Sequence, residues 1–96
     1  MKLTPTQIAG CYRGTLEIIG DSRGTFASVF EIDALRLVDP AFKVLRANRS
    51  WTRRKGAIRG LHFQREPEAE SKLVQCVRGK VFDVCVDLRF DSSTYL

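Results

Sequence analysis

Residues 80–88 alternate with a period of two, and this constrains the fold more than any other feature of the chain. Phe82, Val84, Val86 and Leu88 fall on one side, and Val81, Asp83, Cys85 and Asp87 on the other. Such alternation is the mark of a β-strand with two unlike faces. The preceding residues 72–77 also read as a strand, and Arg78-Gly79 between them predicts a hairpin. With a two-residue loop, Val77 lies opposite Lys80, Lys72 opposite Cys85 and Val74 opposite Asp83, so Lys72, Asp83, Cys85 and Asp87 share a face. That face is either a solvent face or the wall of a charged cavity, and a one-residue change in the loop reverses the facing of Lys72. No element follows to cover the last strand. The implied open sheet edge predicts an incomplete unit.

Upstream, residues 1–20 read as a lead-in that ends in a short strand over 15–19. Gly20-Asp21-Ser22-Arg23-Gly24 is a turn cluster, and 25–30 is rich in β-formers. A short helix is expected over 31–37, stopped at Asp39-Pro40. Further strands are expected over 42–47 and over 56–64, the latter interrupted at Gly60, with a polar loop over 65–71. The chain shows neither repeats nor an internal linker. The expectation is a mostly β fold with one short helix, and a single domain over 1–96.

With 96 residues, such a domain buries only roughly 60–65% of the surface its unfolded chain exposes, and a partner subunit would help it. Apolar residues are 44% and charged residues 28% of the chain, ordinary values for a soluble protein. No apolar run reaches membrane-span length. Met1-Lys2-Leu3-Thr4-Pro5 lacks the apolar core of a secretory signal, so a cytoplasmic location is expected. The formal charge of +5 favours anionic partners in general. Cys11, Cys76 and Cys85 are odd in number and form no Cys-x-x-Cys, which argues against a disulfide framework or a cysteine zinc site. Cys76 and Cys85 sit in apolar runs and read as buried free thiols.

His62 is the one histidine, set between Leu61 and Phe63. In that context it is either a structural residue or a general base, for which a neutral imidazole is chemically apt. As a metal ligand it lacks a second histidine. Arg46, Arg49, Arg53, Arg54, Lys55 and Arg59 form a basic run around Trp51. This run is a solvated loop, a pyrophosphate surface or a nucleic-acid patch. Arg23 lies in a turn, from which its planar guanidinium can clamp a phosphate. No phosphate loop of the known Gly-rich kinds is present, which removes the case for an ATPase or a dinucleotide enzyme.

Four segments together resemble the dTDP-4-dehydrorhamnose 3,5-epimerase family. They are Gly20-Asp21-Ser22-Arg23-Gly24-Thr25-Phe26, Ile58-Arg59-Gly60-Leu61-His62-Phe63-Gln64, Lys72-Leu73-Val74-Gln75-Cys76, and Gly79-Lys80-Val81-Phe82-Asp83-Val84-Cys85-Val86-Asp87-Leu88-Arg89. The resemblance implies a cupin-type jelly roll (double-stranded β-helix), here incomplete, and a homodimer. It implies a dTDP-linked 4-keto-6-deoxy sugar as substrate, with no metal and no redox cofactor. The ketone at C4 acidifies the protons on C3 and C5; a base removes each, and a proton returns from the other face. By resemblance His62 is the proton acceptor and Lys72 stabilises the enolate. Arg23, Phe26, Asn48 and Arg59 bind substrate, and Asp83 supports the site from behind.

On a regular strand Arg59 and His62 point to opposite faces, so their joint action requires a bulge or twist at Gly60. The chain departs from the family at Ser28, where a substrate-binding glutamate is usual. The family's proton-donating tyrosine, the aspartate paired with its base and a second histidine belong to a C-terminal half, and Tyr95 lies too early to be that tyrosine. The expectation is therefore a truncated epimerase sequence, inactive or nearly so by itself. The alternatives are a remnant that binds nucleotide sugars or dimerises, and a small basic nucleic-acid-binding domain.

Overall fold

The computed structural model describes residues 1–96, and its regular elements all precede residue 39. They are β1 (Lys2–Pro5), β2 (Tyr12–Thr15), β3 (Ile18–Asp21), β4 (Gly24–Ala27) and α1 (Ile32–Val38). β1 and β2 pair antiparallel from Lys2↔Thr15 to Pro5↔Tyr12. Pro5 ends its strand, where a missing N–H disturbs the ladder least. The Thr6 hydroxyl organises the connection: it donates to the Cys11 carbonyl (2.9 Å) and accepts from the Ile8 N–H (3.2 Å). The Cys11 N–H returns to the Ile8 carbonyl at 3.0 Å. This first hairpin replaces the lead-in expected over 1–20, and the strand expected over 15–19 is divided between the end of β2 and the start of β3.

β3 and β4 form a second antiparallel ribbon, with Asp21↔Gly24 closing it around Ser22 and Arg23. The turn predicted here is present. The Asp21 Oδ1 accepts the Arg23 N–H at 2.8 Å, and Gly24 takes φ 143°, a value that suits glycine. α1 lies within one residue of its expected span. Asp33 in its first turn and Arg36 in its last complement the helix dipole. Glu31 precedes the helix without capping it; its carboxylate instead accepts the Met1 ammonium at 2.7 Å. The Asp39 N–H bonds the Leu35 carbonyl at 2.9 Å, and Pro40 follows. Leu35 is the one buried apolar side chain, 6% exposed, where α1 packs on β1.

The strands expected over 42–47, 56–64, 72–77 and 80–88 do not form. Gly79 takes a turn-like φ of 84°, but the flanking residues carry no ladder, and the pairing of Lys72 with Cys85 is absent. The one bridge in this part of the chain is parallel, Asp87 to Tyr95. A two-stranded ribbon is marginal until a third strand or a packed face supports it. Here the apolar face has no cover: Phe82 is 95% exposed and Ile58 91%. For the same reason Cys76 and Cys85 are exposed rather than buried, and Cys11 is half-buried.

The chain divides into two units, one of Met1–Lys43 with Lys80–Leu96 and one of Val44–Gly79. In the first, Asp87 is only 5% exposed. Its carboxylate accepts Arg89 Nε (2.8 Å) and Nη2 (2.9 Å), Thr94 Oγ1 (2.7 Å) and the Ser92 hydroxyl. Arg89 Nη2 also donates to the Ala9 carbonyl at 2.8 Å, tying residues 87–94 to the β1–β2 connection. In the second unit, Glu70 pairs with Arg46 at 3.6 Å and accepts Gln64 Nε2 at 3.2 Å. Arg78 stacks over Trp51 at 5.9 Å and Arg65 over Phe63 at 5.7 Å. The protein is thus mostly β in its regular structure, with two antiparallel sheets and one short helix, and no sheet closes into a barrel. No helix is long and apolar enough to cross a membrane.

The Arg89 guanidinium, followed by the Ser92 and Thr94 hydroxyls, holds the Asp87 carboxyl far below the usual carboxylate range. A depressed folded-state pKa contributes stability above the unfolded value of about 4, lost progressively as pH falls from there toward the folded value. Circular-dichroism melts between pH 7 and pH 2 should show a midpoint that drops below about pH 4. Asp87→Asn should be less stable at pH 7 and lose that part of the drop.

Candidate functional site

Arg23 and Phe26 sit on the second ribbon, on the loop and on β4, both largely exposed. Arg23 is not a free cation. Its Nη2 meets Asp21 Oδ2 at 2.6 Å, and its Nε approaches both carboxylate oxygens. The pairing lowers the Asp21 pKa and raises that of Arg23, chiefly through the hydrogen bond they share. Asp21 therefore orients the guanidinium while competing with any phosphate for it. Sequence reading missed this role, although the two-residue spacing across a tight turn is its signal.

Asn48, Arg59, His62 and Lys72 belong to the second unit, and all are exposed. Arg59 is held from behind: Nε donates to Thr52 Oγ1 at 2.9 Å and Nη2 to the Trp51 carbonyl at 3.0 Å. These contacts hold a long flexible side chain in place. Thr52 was not anticipated. Trp51 was noted within the basic run, and it works here through its carbonyl and through its ring beneath Arg78.

Gly60 takes φ 102°, so the segment is not a regular strand. The break required for Arg59 and His62 to act together is present. The His62 ring folds back on this glycine: a Cβ built on Gly60 would fall 3.3 Å from His62 Nδ1 and 3.2 Å from its backbone nitrogen.

Asp83 is exposed and lies in the first unit. It acts on Cys85, whose thiol pKa is raised first by a hydrogen bond with Cys11 and, to a lesser degree, by the Asp83 charge. Surface concavities of about 510 Å³, at Pro5, Thr6, Gln7 and Arg13, and about 430 Å³, beside Ile8, Cys85 and Thr94, contain none of the predicted site residues. No group of three or more His, Cys, Asp or Glu side chains is placed to hold a metal ion.

A family model described as dTDP-4-dehydrorhamnose 3,5-epimerase matches residues 5–96. A dTDP-4-dehydrorhamnose 3-epimerase of Streptomyces niveus is 41% identical over 96 residues, covering 99% of this chain and 46% of its own length. A dTDP-4-dehydrorhamnose 3,5-epimerase of Shigella flexneri is 38% identical, covering 99% of this chain and 52% of its own. A protein of the same name from Sinorhizobium fredii is 46% identical over 76 residues, covering 79% of this chain and 39% of its own. The chain spans about half the length of the curated relatives it matches. No solved structure matches it.

Gly60→Ala tests the local geometry. An alanine at this φ is strained and presses on the His62 backbone nitrogen. The substitution should cost about 1–2 kcal/mol and displace the imidazole resonances of His62 in NMR spectra, with the Arg23 loop unaffected.

Proposed function

Because the chain belongs to the dTDP-4-dehydrorhamnose 3,5-epimerase family, we propose that it carries the proton-abstracting part of an isomerase acting on dTDP-4-dehydro-6-deoxy-D-glucose, in dTDP-L-rhamnose or related deoxysugar synthesis. His62 takes the proton from the carbon next to the C4 ketone, and Lys72 stabilises the enolate oxygen. Arg23 and Arg59 hold the diphosphate, Phe26 and Asn48 contact the substrate, and Asp83 supports the site from behind. The hydrogen leaves and returns as a proton, so the carbon undergoes no net oxidation.

The observation that carries this reading is the break at Gly60. Its φ of 102° removes the strand alternation that would send Arg59 and His62 to opposite faces. The anchoring of Arg59 by Thr52 and the Trp51 carbonyl supports a binding role, because a cation already fixed in place loses less freedom when it grips a phosphate. In this reading the family-length protein is a cytoplasmic homodimer whose sheets close as a cupin-type jelly roll. The substrate is reprotonated by a group that no residue of this chain is assigned.

The test is solvent exchange. The keto sugar is incubated in deuterium oxide with the family-length protein and, separately, with this chain, and deuterium at C3 and C5 is followed by NMR. The family-length protein should exchange both positions, and His62→Ala should slow it by about 10²–10⁴-fold. Lys72→Met should slow it by about 10²–10³-fold. The chain by itself should bind dTDP, seen as a raised melting temperature that Arg59→Ala diminishes, while its exchange is far slower. Exchange that survives loss of His62 would sink the assignment of the base.

A further inference from the structure

Trp51 is the protein's one tryptophan, and it is 65% exposed. A ring of that size left in water forfeits a large apolar burial. Its surroundings say what it can serve. Residues 51–59 fold back on themselves: the Ala57 N–H reaches the Arg54 carbonyl at 3.4 Å, and Gly56 turns the chain with φ 81°. The return brings Arg59 to the start of the loop. There its Nη2 donates to the Trp51 carbonyl at 3.0 Å and its Nε to Thr52 Oγ1 at 2.9 Å. Both acceptors are uncharged, so neither bond neutralises the guanidinium. From Val44 to Arg65 the sequence carries basic side chains and no acid, which suits an anionic ligand. Arg78 lies over the indole, its guanidinium carbon 5.9 Å from the ring centre. That contact covers part of the ring, and most of the residue stays open to water. An exposed aromatic ring beside a held cation matches a nucleotide, whose phosphates pair with the cation while its base stacks on the ring.

We propose that Trp51 stacks the base of a nucleoside diphosphate bound to the second unit. The inference rests on the reading above that Arg59 holds the diphosphate, and it adds the group that meets the other end of the nucleotide. Stacking uses the π-face that every base has. Trp51 therefore contributes affinity for a nucleotide over a bare phosphate and does not choose the base. One ring beside one anchored cation is the footprint of a single nucleotide, whereas a strand is held by successive rings along a groove.

The lone tryptophan is its own probe. dTDP, inorganic pyrophosphate and an oligothymidylate strand are titrated separately into the full chain, with indole fluorescence followed and affinities taken by calorimetry. dTDP should quench the emission and bind about 10- to 100-fold more tightly than pyrophosphate. Pyrophosphate should leave the emission nearly unchanged. Trp51→Ala should bring dTDP down to the affinity of pyrophosphate. Pyrophosphate binding should survive that change, because Arg59 is anchored on the main-chain carbonyl of residue 51 and not on its ring. The ring is exposed, so its removal costs the fold little. Trp51→Phe should keep most of the preference. An absence of dTDP binding, equal affinity for dTDP and pyrophosphate, or a preference that survives Trp51→Ala would overturn the proposal. So would binding of the oligothymidylate strand without binding of dTDP. Arg59→Ala should weaken dTDP and pyrophosphate alike. If it weakens neither while Trp51→Ala still removes the preference, the diphosphate role of Arg59 fails and the stacking role of Trp51 stands.

Discussion

The Asp87–Arg89 ion pair is the interaction on which the first unit depends. Apolar burial is nearly absent, with Leu35 the one buried apolar side chain. Polar contacts therefore connect distant parts of the unit. Asp87 gathers Arg89, Ser92 and Thr94, and Arg89 reaches the Ala9 carbonyl. A buried carboxylate with several donors is worth holding, because any one donor lost leaves charge poorly compensated. The Met1–Glu31 pair does a similar task between the chain's start and the entry to α1. Both arrangements substitute directed charge-assisted bonds for the hydrophobic contacts that normally bring sequence-distant segments together.

The candidate site is built on the same economy. Arg23 is oriented by Asp21, Arg59 by Thr52 and the Trp51 carbonyl, and His62 by the turn at Gly60. Each device is local, reaching no more than eight residues along the chain. Local devices hold individual side chains well, but they do not bring members of a constellation together. That convergence requires a sheet with a defined register. Residues 72–88, which carry Lys72 and Asp83, form no ladder, and their apolar side chains are open to water.

Local chemistry was the legible part. The turn at Ser22-Arg23, the helix stopped by Asp39-Pro40, and the break at Gly60 each follow from residue types that act on their immediate neighbours. The first hairpin was hidden because Lys2–Pro5 is short and its closure depends on the Thr6 hydroxyl, which no apolar pattern announces. The expected hairpin over 72–88 failed for the opposite reason. Its alternation is clear, but alternation states only that one face needs covering, and nothing covers Phe82. The same gap explains the exposed Cys76 and Cys85. Nor did the sequence show that Asp87, read as a residue of a charged face, would be the buried hub of its unit.

By itself the sequence determined the family, through the motifs around Arg23, His62, Lys72 and Asp83, and it determined the turns and the helix, because these depend on contacts a few residues apart. The tertiary structure decided which distant segments are tied together and which strands are laddered. It joined Arg89 to the Ala9 carbonyl and left residues 72–88 without a sheet. The physical reason is range. A turn or a cap is stabilised by its own neighbours, whereas a strand ladder or a tie such as that from Arg89 to Ala9 exists only when a distant segment supplies the other half.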